Sequence, residues 1–163
     1  MILNIHQATT TPLYSVLNGI SEEQFRWRPA PESRSISEMM CHLIRIDNSF
    51  LQKLGQSIKT QDPRNGTADD VLMALQNVHR QMYDLVNDCK DDSELFRKST
   101  LQDAEDIDTI KEHVLHSCQH NLYHLSQMIY LRRALDRNWI SPIEEWDKAT
   151  RVIANYLASD TVN

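Results

Sequence analysis

The sequence predicts an all-α fold, a bundle of four long helices with one or two additional short helices, and three observations carry the prediction. Only three glycines and five prolines occur in 163 residues, and these are the two residues that helix interiors exclude. Helix-start signatures recur along the chain, each a Ser answered three residues later by Glu or Gln. Apolar residues follow at steps of three and four, the period of one helix face. With 40% hydrophobic residues the chain is long enough to bury a core without staples, so residues 1–163 are expected to form a single domain.

Taken in order, the first segment carries Leu3, His6, Leu13, Leu17 and Ile20 at helical spacing. Ser21 with Gln24 then reads as a capping box, and Ser35 with Glu38 as another. Behind Ser35 the second long segment runs Ile36, Met39, Leu43, Ile46, Phe50, Leu54. The third, Val71, Leu75, Val78, Met82, Leu85, Cys89, alternates steps of four and three, which is the seam of a bundle helix. A fourth extends from about Ile107 to Leu135, and a fifth carries Ile143, Trp146, Ile153 and Leu157 behind Ser141, Pro142 and Glu144. Loops are expected at "PAPESRS", at "GQSIKTQDPRNG" and in the acidic stretch around residues 90 to 106.

Composition excludes several functions. The formal charge is −6 and no block of Lys or Arg occurs, so neither a phosphate backbone nor an anionic membrane surface is an expected partner. Cys41, Cys89 and Cys118 are odd in number and widely spaced, the usage of reduced thiols in a cytoplasmic protein. The first residues lack a basic region and a cleavage pattern, and no apolar run reaches membrane-spanning length.

The functional signal is the stretch "EHVLHSCQHNLYHLSQ", which holds four of the seven histidines. On a helix turning about 100° per residue, His116, His120, His124 and Gln127 all fall within about 60° of His113. Apolar residues sweep one side of that stripe, while Glu112, Gln119, Tyr123, Ser126 and Tyr130 occupy the other. The stripe thus lies where core meets solvent, as a cleft wall would. His120 and His124 are one turn apart, the spacing that lets two imidazoles converge on one metal ion. His42, beside Met39 and Ile46 on the second long segment, is a candidate third ligand. Three protein ligands would leave an open position, the usual arrangement of a catalytic zinc. The competing reading is three hydrogen-bonded histidines with no ion.

Gln127 has two readings: its carbonyl could accept the N–H of a ligating histidine, or it could simply face water. His116 is either a base at the cleft rim or an exposed imidazole. His6, His79 and His113 read as structural. Asp47 lies about 140° around its helix from His42 and reads as an ion-pair partner rather than a ligand. Cys118, on the apolar side, reads as a small buried hydrophobe, and Trp27 as a packing anchor.

Two stretches resemble the DinB/YfiT-like family of metalloproteins. In "FRWRPAPESRSISEMMCHLIRIDNSFL" the matching positions are Trp27, Pro29, Ser35, Ile36, Glu38, His42 and Asp47, and in "HNLYHLSQMIYLRR" they are His120, His124, Gln127, Tyr130 and Arg132. The chain departs from the pattern at Ser126, where glycine is usual, and at Leu125, where arginine is usual. The resemblance implies a four-helix bundle, generally dimeric, with one metal held by His42, His120 and His124. It also implies thiol chemistry, because the family includes transferases that use low-molecular-weight thiols.

A divalent ion on three neutral imidazoles keeps its full charge and can lower the pKa of water or a thiol. A metal-dependent thiol S-transferase acting on a small molecule is therefore the first expectation. A metal-dependent hydrolase, an oxygen-activating iron protein and a non-catalytic dimeric stress-related module are the alternatives. Zinc, nickel and iron all suit the ligand set. The apolar side of the histidine helix spans about 180°, wider than one core requires, so a homodimer is expected. Histidines of ordinary pKa would release the ion as pH falls through about 6.

Overall fold

A computed structural model describes residues 2–96 and 109–159. The architecture is all-α, with six α-helices among those residues: α1 (Ile2–Val16), α2 (Glu22–Arg26), α3 (Ile36–Lys53), α4 (Ala68–Asn87), α5 (Ile110–Leu135) and α6 (Ile143–Ser159). A 3-10 turn at Asp92–Phe96 follows α4. The expected start of the histidine helix at Ile107 and the acidic stretch from 97 to 106 lie outside the described residues.

Each start has a chemical cause. Ser21 and Ser35 are capping boxes as read from the sequence, the Ser hydroxyl accepting from the N–H three residues on while that residue's side chain accepts from the Ser N–H. Thr67 with Asp70 and Thr109 with Glu112 form two more, at the starts of α4 and α5. Ser141 does not cap α6. The helix begins at Ile143, and the carbonyl of Pro142 accepts from Trp146 N–H at 3.0 Å, so the proline stands before the first helical residue. Pro12 sits inside α1, where it removes one backbone donor. The threonines before it bond backward, Thr9 Oγ1 to the His6 carbonyl at 3.0 Å and Thr11 Oγ1 to that of Gln7 at 2.9 Å.

The four long helices close a ring in which α1 packs on α5, α5 on α3, α3 on α4 and α4 on α1, while α2 packs on α3 and α6 on the outside of α1. Leu13, Leu43, Leu75, Met82, Val114 and Leu125 are sealed inside it. The seam read from the sequence of α4 is buried from Val71 to Leu85. The stripe read for α6 is only partly right. Ile143 and Leu157 are exposed, and α6 buries Ala149 and Tyr156 instead, since a helix docked on one neighbour has a narrow buried line.

A buried polar chain crosses the ring with one residue from each long helix. The hydroxyl of Tyr14 on α1 is hydrogen-bonded to Nδ1 of His79 on α4 at 2.7 Å. Nε2 of His79 lies 3.2 Å from Oδ2 of Asp47 on α3. Oδ1 of Asp47 accepts from Ser117 Oγ on α5 at 2.6 Å. Asp47 thus contacts His79 and Ser117 inside the ring and stands apart from the three clustered histidines, and His79 is buried in the core. Arg132 is buried as well, and donates to the carbonyls of Val16 at 2.9 Å and Asn18 at 3.3 Å, satisfying acceptors that the end of α1 leaves open. Among the described residues no helix is long and apolar enough to cross a membrane.

Candidate metal centre

Two helix faces meet at the site. The capping box of Ser35 fixes where α3 begins, and burial of Met39 and Leu43 turns the intervening His42 toward α5. On α5, burial of Asn121, Leu125 and Met128 sets the rotation that brings His120 and His124 to the α3 side. The three rings then cluster, with centroids 5.6 Å apart for His42 and His120, 5.1 Å for His42 and His124, and 5.7 Å for His120 and His124. One nitrogen from each lies within 4.8 Å of the others, close enough for one ion to engage all three. This is the one such cluster of metal-ligating side chains among the described residues.

The surroundings suit neutral imidazoles. Burial, reinforced by His124 and Arg34, lowers the pKa of His42 from 6.5 to about 4. Burial also lowers His120, with His116 adding to the effect. His124 is lowered by burial too, against the opposing effect of its hydrogen bond to Gln127. All three are unprotonated at neutral pH, the state in which imidazole ligates. Protons therefore compete for these nitrogens at lower pH than they would for histidines of ordinary pKa.

Gln127 takes the first of its two readings in geometry. Its Oε1 lies 2.8 Å from Nδ1 of His124, and a carbonyl oxygen accepts only, so Nδ1 carries the proton and Nε2 is left with its lone pair. The Gln127 side chain is otherwise exposed. His116 is half-buried and stacks on His120 with ring centroids 5.0 Å apart and planes 14° apart, so it packs against a ring of the cluster rather than joining it. His113 is fully buried against Phe50, away from the border position that its wheel angle suggested.

The cluster forms one wall of a cleft of about 830 Å³. Tyr123 and Tyr130, on the solvent arc of the wheel, are exposed yet stand along this cleft, together with Met39 and Leu131. Leu125, where the family pattern has arginine, is fully buried and contributes nothing to the cleft, whereas Ser126 lines it. Sequence reasoning missed Arg34, which also lines the cleft. It lies in a loop, where no periodicity points to it. Cys118 is buried, with its thiol pushed up to about 12 by burial, and burial raises that of Cys41 to about 11. Both stay protonated and inert.

The sequence model of the DinB superfamily matches residues 6–128. That span includes α1 from His6 onward, all of α2 to α4, the three clustered histidines and Gln127. No curated protein matches the chain.

Proposed function

The chain belongs to the DinB superfamily, and from that premise we propose that His42, His120 and His124 hold one divalent ion, zinc, nickel or iron, in a metal-dependent thiol S-transferase. The observation that carries the reading is the convergence of three neutral imidazoles within 4.8 Å at the wall of an open cleft, one of them oriented by Gln127. The ion would supply Lewis acidity, stabilising the anionic form of a nucleophile at neutral pH.

The protein's own groups favour a thiol over water as that nucleophile. No carboxylate lines the cleft among the described residues, so no Asp or Glu stands ready as a general base. A thiol with an ordinary pKa of about 8.5 needs little help to ionise, whereas water, at about 15.7, needs a great deal. Cys41 and Cys118 are buried and protonated, which leaves an external, low-molecular-weight thiol as the source of sulfur. Met39 and Leu131 would exclude water from one side of the substrate, and Tyr123 and Tyr130 would flank it on the other. We place the reaction in the cytoplasm and the protein in a homodimer.

Metal analysis of the untagged protein, followed by a screen of electrophiles against several cellular thiols, tests this reading. Turnover that requires both metal and thiol and is lost in His124→Ala is the expected result. Turnover of esters or amides without thiol would make the protein a hydrolase. A loaded protein that turns over nothing would be a binding module.

A further inference from the structure

Arg34 is the one Lys or Arg side chain on the wall of the cleft among the described residues. It makes no ion pair and no hydrogen bond among the described residues. The acidic group whose charge it feels is Glu38, but that carboxylate is already committed. It accepts from the guanidinium of Arg28, and from Ser35 N–H at 2.9 Å and Ser35 Oγ at 3.2 Å. The neighbouring Arg45, by contrast, is paired with Asp62 at 2.7 Å. Arg34 therefore stands exposed at the cleft with no hydrogen-bonded carboxylate of its own among the described residues.

The cleft as a whole has the wrong sign for its protein. The chain carries 23 acidic residues against 17 Lys and Arg, yet the lining holds Arg34 and three histidines with no carboxylate among the described residues. Arg34 stands on the same cleft wall as His42, His120 and His124. A divalent ion on neutral ligands would add two further positive charges. Nothing described in the lining neutralises this charge, so a substrate is left to do so.

We propose that Arg34 is a specificity residue that binds a carboxylate on the substrate, so that the cleft selects small molecules joining an anionic group to an apolar body. The proposal rests on the metal reading above and deepens it. A planar guanidinium matches a carboxylate in a two-point, charge-assisted contact. Met39, Leu131, Tyr123 and Tyr130 provide the apolar and aromatic surface for the rest of the molecule. The substrate would span from Arg34 to the histidine cluster.

Calorimetric titration of the zinc-loaded, full-length protein tests it with two matched pairs of probes: 3-mercaptopropionate against its amide, and 3-phenylpropionate against its amide. Each carboxylate should bind about five- to tenfold more tightly than its neutral partner, the gain of one charge-assisted contact at an exposed rim. In Arg34→Gln that gap should close to within about twofold with zinc stoichiometry unchanged, and Arg34→Lys should restore part of it. Equal binding of acid and amide by the native protein, a gap that persists in Arg34→Gln, or no binding of either acid would overturn the proposal. The thiol reading fails separately, if the mercapto pair binds no more tightly than the phenyl pair while the carboxylate gap remains.

Discussion

At the scale of single residues, Gln127 decides which nitrogen of His124 is available to an ion. Its replacement by Leu should weaken metal binding about tenfold while leaving the metal-free stability within about 0.5 kcal/mol, because the side chain is exposed. Chelator competition and urea melts measure the two, and unchanged affinity would return Gln127 to a surface role. His6 reports on pH. Its pKa is lowered from 6.5 to about 4, by burial first and by His79 second, with Asp47 opposing. Between those values the unfolded chain binds a proton that the native state refuses, so stability rises with pH through the window. The contribution, about 3 kcal/mol, is fully present above about pH 6.5 and is lost as pH falls toward 4. Urea titrations of the chelated protein at pH 7, 5.5 and 4.5 should show the decline, and His6→Gln should make it shallower, with the likewise lowered His42 keeping part of it. A native protein equally stable at all three values would contradict the assignment. Much at this scale was legible: the spacing of His120 and His124 states a shared face, because the helical period relates them directly. The contact of Tyr14 with His79 was not, since 65 residues separate them and no local rule connects them. Nor was Arg34, which depends on where a loop comes to rest.

At the scale of elements, caps and the buried polar chain hold the helices in register. Thr109→Ala removes the hydroxyl that caps α5 and should cost about 1 kcal/mol. Asp47→Ala should cost more, about 3 kcal/mol, because it strips His79 and Ser117 of their partner inside the ring. Equilibrium denaturation measures both, and an Asp47→Ala protein as stable as the native one would show that the polar chain holds nothing. The start of α3 was readable because Ser35 and Glu38 form the familiar box. The start of α4 was not, because Asp70 takes the place that Glu or Gln usually fills. The outer face of α6 misled the periodicity reading, as exposed Ile143 and Leu157 mimic a core stripe. Only the packing of α6 against α1 shows which line is buried.

At the scale of the whole molecule, the ring of four helices makes the candidate site a product of tertiary structure, with one histidine of the cluster on α3 and two on α5. The breadth of the apolar side of α5 is partly explained within the chain, since α5 packs on both α1 and α3. What remains is an apolar cleft of about 510 Å³ where Leu115 and Leu122 meet Ile153 and Leu157. We propose that a second subunit covers it. Sedimentation at micromolar concentration should give a dimer mass, and Leu157→Glu a monomer; a monomeric native protein would remove the proposal. The fold class was legible because helical periodicity and caps are local, whereas the closure of the ring and the shape of the cleft depend on contacts between distant segments. The central claim is that His42 from one helix and His120 and His124 from another bind one ion together, and the thermal melt at pH 7.5 of zinc-loaded against chelated protein tests it most directly. At a thousandfold excess of free zinc over its dissociation constant, the account predicts an increase in Tm of about 10 °C in the native protein and none in His42→Ala. Coincident curves for loaded and chelated native protein, or an increment that survives in His42→Ala, would contradict it.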